Sequence, residues 1–156
     1  MPPRATAPRI PAGYGVPTDG SGGELLPWSW AVDQLAAARN YWICTTRADG
    51  RPHTAPVWGL WLDDAVWFST GGETQKARNI ARDPRIVIHL ESGDETVILE
   101  GEVEKVVADE RYVDAYEAKY RHRPDVGSTV YVLRPRVAQT WTERNFPGTA
   151  TRWVFD

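Results

Sequence analysis

Between Tyr41 and His89 short apolar runs alternate with turn chemistry, and this rhythm sets what the chain can fold into. The first run, Tyr41 to Arg47, is followed by Ala48-Asp49-Gly50, and an Asp-Gly pair between apolar runs is a strong short-range hairpin signal. The second run, His53 to Leu62, turns at Asp63-Asp64. In the third, Ala65 to Thr70, Val66 and Phe68 alternate with Trp67 and Ser69. Gly71-Gly72 then leads to Thr74, a good N-cap for a helix over Gln75 to Arg82. Asp83-Pro84 ends that helix, because the residue before a proline is pushed out of the α region. A fourth run, Arg85 to Glu91, stops at Ser92-Gly93-Asp94.

The strands continue downstream. In a long strand from Thr96 to Val107, Val97, Leu99 and Val103 share one face, and Ile98, Glu100, Glu102 and Glu104 share an acidic, solvated one. Gly101 inside it marks a bulge or a close backbone approach. Asp109 caps a helix over Glu110 to Tyr120, and a basic loop holds Arg121, His122 and Arg123. Strands at Thr129–Leu133 and Val137–Thr142 are interrupted at Pro135. A loop covers Asn145 to Ala150, and a last strand Thr151 to Phe155. Ahead of the meander, Ser29 would cap a helix over Trp30 to Arg39, with Ala31, Leu35 and Ala38 at core-facing spacing and Trp28 as a hydrophobic staple. Six or seven strands with short helices between them define a mainly β fold, a closed or nearly closed antiparallel barrel.

A chain of 156 residues, 42 % apolar and 25 % charged, fits one globular domain with a full core. Residues 1–24, rich in proline and glycine, read as a flexible arm, and residues 25–156 as the domain. No apolar run is long enough for a secretion signal or a membrane span. A net charge of −3 gives no general pull toward nucleic acid or an anionic surface. The single cysteine, Cys44, excludes an intrachain disulfide and suits a reducing, cytoplasmic setting. Eight tryptophans are more than a core of this size needs, which points some of them to a pocket or subunit interface.

The chemical signals are sparse. No Cys/His spacing fits zinc, and nucleotide-binding and nucleophile-elbow motifs are absent. His53, His89 and His122 are scattered, with His53 nearest the turn-rich stretch. What remains is Ser69-Thr70 at a strand end, then Thr74 and Lys76 at a helix start, with Arg78 two residues on. Hydroxyls, the N–H groups of a helix N-terminus and a lysine can together hold a phosphate. A capped surface helix carrying basic residues is the plainer reading of the same pattern.

Three segments weight this choice: Gly50-Arg51-Pro52-His53-Thr54-Ala55-Pro56-Val57-Trp58, Phe68-Ser69-Thr70, and Lys76-Ala77-Arg78-Asn79-Ile80-Ala81-Arg82-Asp83-Pro84-Arg85. In kind and order they resemble the pyridoxamine 5′-phosphate oxidase-like superfamily of flavin- and deazaflavin-binding split β-barrels. The likeness runs from about Trp28 to Val107 and is strongest to the actinobacterial branch that includes deazaflavin-dependent reductases.

The resemblance implies a homodimer with its cofactor between the subunits. Pro56, Val57 and Trp58 would run along the isoalloxazine or deazaflavin ring, and Ser69 and Thr70 would lie near the ribityl chain and phosphate. Thr74, Gln75 and Lys76 would form the phosphate clamp. There the chain departs from the oxidase pattern of Ser-Arg-Lys, and Arg51 or Arg78 would have to supply the missing cation. The departure argues against pyridoxamine phosphate as substrate. The function implied is hydride transfer from coenzyme F-420, or alternatively FMN, to a small unsaturated or conjugated substrate. No residue is singled out as an acid or base. Trp58, Trp61 and Trp141 would build an apolar substrate wall or, equally, core and dimer contacts. A non-enzymatic module is the remaining alternative; if it held haem, His53 and His89 would be the candidate axial ligands.

Overall fold

The turns read from the sequence close where their chemistry requires. In the computed structural model, which describes residues 1–11, 13 and 25–156, the elements run in this order. Strand β1 is Arg4–Thr6, helix α1 Trp28–Ala37, and strands β2 Tyr41–Thr46, β3 Pro52–Val57, β4 Gly59–Leu62 and β5 Ala65–Phe68 follow. Helix α2 is Gln75–Arg82, β6 Arg85–His89, β7 Glu95–Val107, α3 Glu110–Tyr120 and β8 Thr129–Thr142. A 3-10 turn at Glu143–Asn145, helix α4 Phe146–Thr149 and strand β9 Thr151–Val154 complete the chain. The fold is a mainly β, antiparallel split barrel, with nine strands among the described residues, more than the six or seven expected.

The extra strands have local causes. The run from His53 to Leu62 is two strands rather than one. β3 pairs with β2, whereas β4 pairs with β5, so the chain changes partner at Trp58-Gly59. Gly59 allows the step, since a Cβ there would lie 2.8 Å from the carbonyl oxygen of Trp67. Asp63 and Asp64 both have positive φ, 52° and 56°, which gives the β4–β5 hairpin the turn twist that suits paired strands. The stretch read as a flexible arm contains β1, which pairs with β9 in register Arg4↔Val154 to Thr6↔Arg152. Residues 12 and 14–24 of that stretch lie outside the described residues.

β7 and β8 form the spine. They pair along their whole length with one bulge, where Gly101 faces Pro135 and Glu100 faces Val137, leaving Arg136 as the extra residue. Pro135 therefore does not end a strand, contrary to the sequence reading. It sits at the irregularity, where its missing N–H interrupts no regular ladder. At the same point the other edge of β8 changes partner, from β5 at Tyr131–Leu133 to β9 at Val137–Thr140. Gly101 is obligatory here, since a Cβ would lie 2.7 Å from the carbonyl oxygen of Arg134.

Two cores result. Inside the barrel, Tyr41, Ile43, Val66, Phe68, Ile88, Leu99 and Leu133 are fully or nearly fully buried. Outside it, α3 covers the β4–β5 hairpin and the start of β8 through Trp67, Tyr112, Val113 and Val132. All four residues of β5 are consequently buried. Asp109 caps α3 by accepting from the N–H of Tyr112, and Thr74 caps α2 by accepting from the N–H of Ala77, both as read from the sequence. Helix α1 starts two residues earlier than expected. Pro27 takes the N-cap position and makes no side-chain cap bond, so Ser29 lies inside the helix. Trp28 closes the barrel end against Trp61, Trp153 and Phe155 instead. Among the described residues no helix is long and apolar enough to cross a membrane.

Candidate functional site

β3 joins two places of different character. Its first half meets the start of α2. There Thr74 Oγ1 donates to the carbonyl of Gly71 at 2.8 Å and accepts from the N–H of Ala77 at 3.3 Å. Its single proton is thereby engaged, so in the 3.1 Å contact with Thr70 Oγ1 it is Thr70 that donates. Ser69 Oγ donates to the carbonyl of Thr129, at 3.1 Å. Gln75 gives its amide N–H to Asn79 Oδ1 at 2.8 Å and accepts from Arg78 at 2.9 Å. Asn79 is buried and donates to Thr45 Oγ1 at 2.9 Å, which ties α2 to β2. The hydroxyl and amide side chains of the expected clamp are thus largely bonded to one another and to neighbouring carbonyls.

The cations differ. Lys76 is half-buried and, among the described residues, forms no ion pair or hydrogen bond through its ammonium. Its charge and that of Arg47 both reach His53 on β3. Burial first, and then these two positive charges, hold the His53 imidazole below its ordinary pKa. Nδ1 of His53 is buried with no hydrogen-bond partner. The first N–H groups of α2 have no partner within the helix. The donors with capacity left at this end are therefore Lys76, Arg47 and the opening of α2, more than the hydroxyls. Neither arginine expected to supply a second cation is free. Arg51 pairs with Asp49 at 2.8 Å, and Arg78 donates to the carbonyl of Glu73 at 2.9 Å. Arg47, which sequence reading missed, sits at the strand end before the Asp-Gly turn, and its guanidinium donates to the carbonyl of Pro52 at 2.9 Å.

From His53 to Trp58 is five residues of extended chain, about 17 Å. Along it Pro56 is exposed and Val57 is half-buried against the barrel core. Trp58 is 39 % exposed. One face of its indole lies on the ring of Tyr120, with centroids 4.7 Å apart and planes within 6°. The Arg39 guanidinium lies 5.0 Å from the indole centroid. The three tryptophans proposed as one wall keep separate company. Trp61 packs on Trp28 at the barrel end, and Trp141 makes an edge contact with Phe146.

Beside β3, the outer face of the sheet carries a groove of about 470 Å³. Cys44, Val87 and Val137 lie along it, with Arg85, Arg136, Glu100 and Glu102 around them. Trp42 and His89 continue this half-buried face in a parallel ring stack.

The chain is thus an antiparallel split barrel with a lysine at a helix start near one end of β3 and an aromatic ledge at the other. Comparison with known proteins places this fold in a family. Residues 31–142 match the family model described as pyridoxamine 5′-phosphate oxidase, and the chain belongs to that family. No curated protein matches it. Among solved structures, it is similar to the conserved hypothetical protein Rv2991 of Mycobacterium tuberculosis, at 24 % identity and a TM-score of 0.68, over 78 % of this chain and 88 % of that one. It is similar to an F-420 reductase at 22 % identity and a TM-score of 0.55, over 68 % and 94 % of the two chains. A pyridoxamine 5′-phosphate oxidase-related, FMN-binding protein of Nostoc punctiforme matches at 18 % identity and a TM-score of 0.57, over 84 % and 91 %. At these identities the structures share a fold with this chain.

Proposed function

We propose that the protein is an oxidoreductase that binds coenzyme F-420 between the subunits of a homodimer, with FMN as the alternative cofactor, and reduces a small unsaturated or conjugated substrate. The observation that carries this reading is the pairing of one unpartnered cation, Lys76, with Arg47 also near His53, at one end of β3 and a part-exposed indole at the other. When bound, the cofactor ring supplies hydride transfer. The chain's own part is to seat the ring along Pro56, Val57 and Trp58 and to hold the phosphate with Lys76, Arg47 and the N–H groups that open α2. Thr70 and Thr74 fix the loop that carries those groups.

The charge count favours the deazaflavin. A phosphodiester such as that of coenzyme F-420 carries one negative charge, whereas the monoester of FMN carries up to two and is better matched by two committed cations. With Arg51 and Arg78 engaged elsewhere, Lys76 is the principal cation and Arg47 the auxiliary one. The F-420 reductase and the FMN-binding protein of the same fold support a cofactor of this type.

The outer sheet face is the surface that a second subunit would cover. Its apolar strip of Trp42, Cys44, Val87, Ile98 and Val137 is flanked by Arg85, Arg136, Glu100 and Glu102. A two-fold axis through this face would bring the same patch, with its arginines and glutamates, together from both copies. Light scattering at micromolar concentration should give the mass of a dimer, and a monomer would remove the interfacial site.

Titration of tryptophan fluorescence with coenzyme F-420 and with FMN tests the cofactor assignment. Saturable quenching by F-420 at the lower concentration is expected. Preference for FMN would move the chain to the alternative cofactor, and no response to either would overturn the oxidoreductase reading.

A further inference from the structure

The junction between β3 and β4 is held by a helix more than fifty residues downstream. Gly59 is where the chain leaves the β2–β3 ladder and opens β4 opposite Phe68 of β5. Its N–H donates to Tyr120 Oη at 2.9 Å. Tyr120 Oη in turn shares its proton between the carbonyls of Arg39, at 2.7 Å, and Gly59, at 2.8 Å. Lys119 Nζ adds bonds to the Gly59 carbonyl at 3.1 Å and to Tyr41 Oη at 3.0 Å. The Tyr120 ring is also the surface on which Trp58 lies.

Lys119 is an unusual choice for this task. It is part-buried and makes no ion pair with a carboxylate among the described residues. The groups around it are Tyr41 from β2, Tyr120 and Tyr116 from α3, and Arg39 from the segment after α1. Burial brings its pKa down to about 8. A folded-state pKa lowered in this way means that the unfolded chain binds the extra proton more tightly. Between that value and its ordinary 10.5, the contribution of this group to stability rises with pH.

We propose that Lys119 and Tyr120 are positioning residues for Trp58: together they fix the peptide that follows it and back one face of its indole, so that the other face is presented as a rigid stacking surface for a flat, conjugated ring. The inference rests on the cofactor reading for the identity of that ring, but the positioning itself is a property of the protein alone.

The test separates the two. In the protein without cofactor, emission of Trp58, isolated as the difference between wild type and Trp58→Phe, should change with pH around 8. The change should vanish in Lys119→Met, which should melt no lower than wild type at pH 7. Tyr120→Phe keeps the stacked ring and removes the hydrogen bonds. It should weaken binding of F-420 or FMN at least tenfold while leaving binding of inorganic phosphate unchanged. Lys119→Met should weaken ring binding too, and Lys119→Arg, which keeps the charge, should restore most of that loss. Trp58 emission with the same pH response in wild type and Lys119→Met, or equal loss of ring and phosphate binding in Tyr120→Phe, would overturn the proposal. Should wild type bind neither cofactor, the cofactor reading falls, and the emission experiment still decides the positioning role.

Discussion

The two ends of β3 satisfy their polar groups in opposite ways. At the Trp58 end, the backbone groups of Gly59 bond to Tyr120 and Lys119, and the indole is stacked. At the Lys76 end, the hydroxyls and amides bond among themselves, while an ammonium and an imidazole nitrogen are left without partners. The first end presents a packed flat surface and the second an unpaired charge, the two features that the proposed ring and phosphate would need.

Substitutions can break this contrast. The largest effect is expected at Gly59. Gly59→Val would drive side-chain atoms into the Trp67 carbonyl and Tyr41, and should cost about 3 kcal/mol in denaturant unfolding. Next is Asn79→Leu, which strips the buried bond to Thr45 and frees Gln75. It should cost about 2 kcal/mol by the same measurement. Lys76→Ala reverses the pattern: cofactor affinity should fall more than tenfold, about 1.4 kcal/mol, while stability stays within about 0.5 kcal/mol of wild type. An unchanged affinity would remove Lys76 from the phosphate site.

The smallest effect is a pH slope. Burial, and then the charges of Arg47 and Lys76, hold the His53 imidazole below its ordinary pKa. A bound phosphate opposes those charges and raises the pKa of His53, so binding takes up a proton and affinity should climb as pH falls toward 6. The slope should stay below tenfold per pH unit, and His53→Gln should flatten it. A simple alkyl phosphodiester is the suitable probe, because it carries no group that titrates in this range.

Much of the scaffold was legible because it is local. Asp49-Gly50, Asp63-Asp64, the Thr74 and Asp109 caps, and Asp83-Pro84 each act within a few residues, and each falls where expected. What escaped depends on distant partners. The pairing of β1 with β9 joins the first residues to the last, and nothing near Arg4 signals it. Pro135 reads as a break until the bulge opposite Gly101 is seen to absorb it. Trp58-Gly59 carried a signal in the glycine, but its meaning, a change of strand partner, needed β5 and α3 in place. The same division holds for the candidate site. Thr70, Thr74, Gln75 and Lys76 are close in sequence and gather at one helix start. Arg47, His53, Asn79, Lys119 and Tyr120 reach their places only through tertiary contacts.

The most direct test of a single ligand spanning both ends of β3 is a titration with coenzyme F-420 followed by amide and indole NMR shifts. The indole N–H of Trp58 and the backbone N–H groups of Gln75 and Lys76 should move together with one midpoint, while the indoles of Trp61 and Trp153 stay still. Movement of only one end, separate midpoints, or shifts confined to other residues would contradict the account.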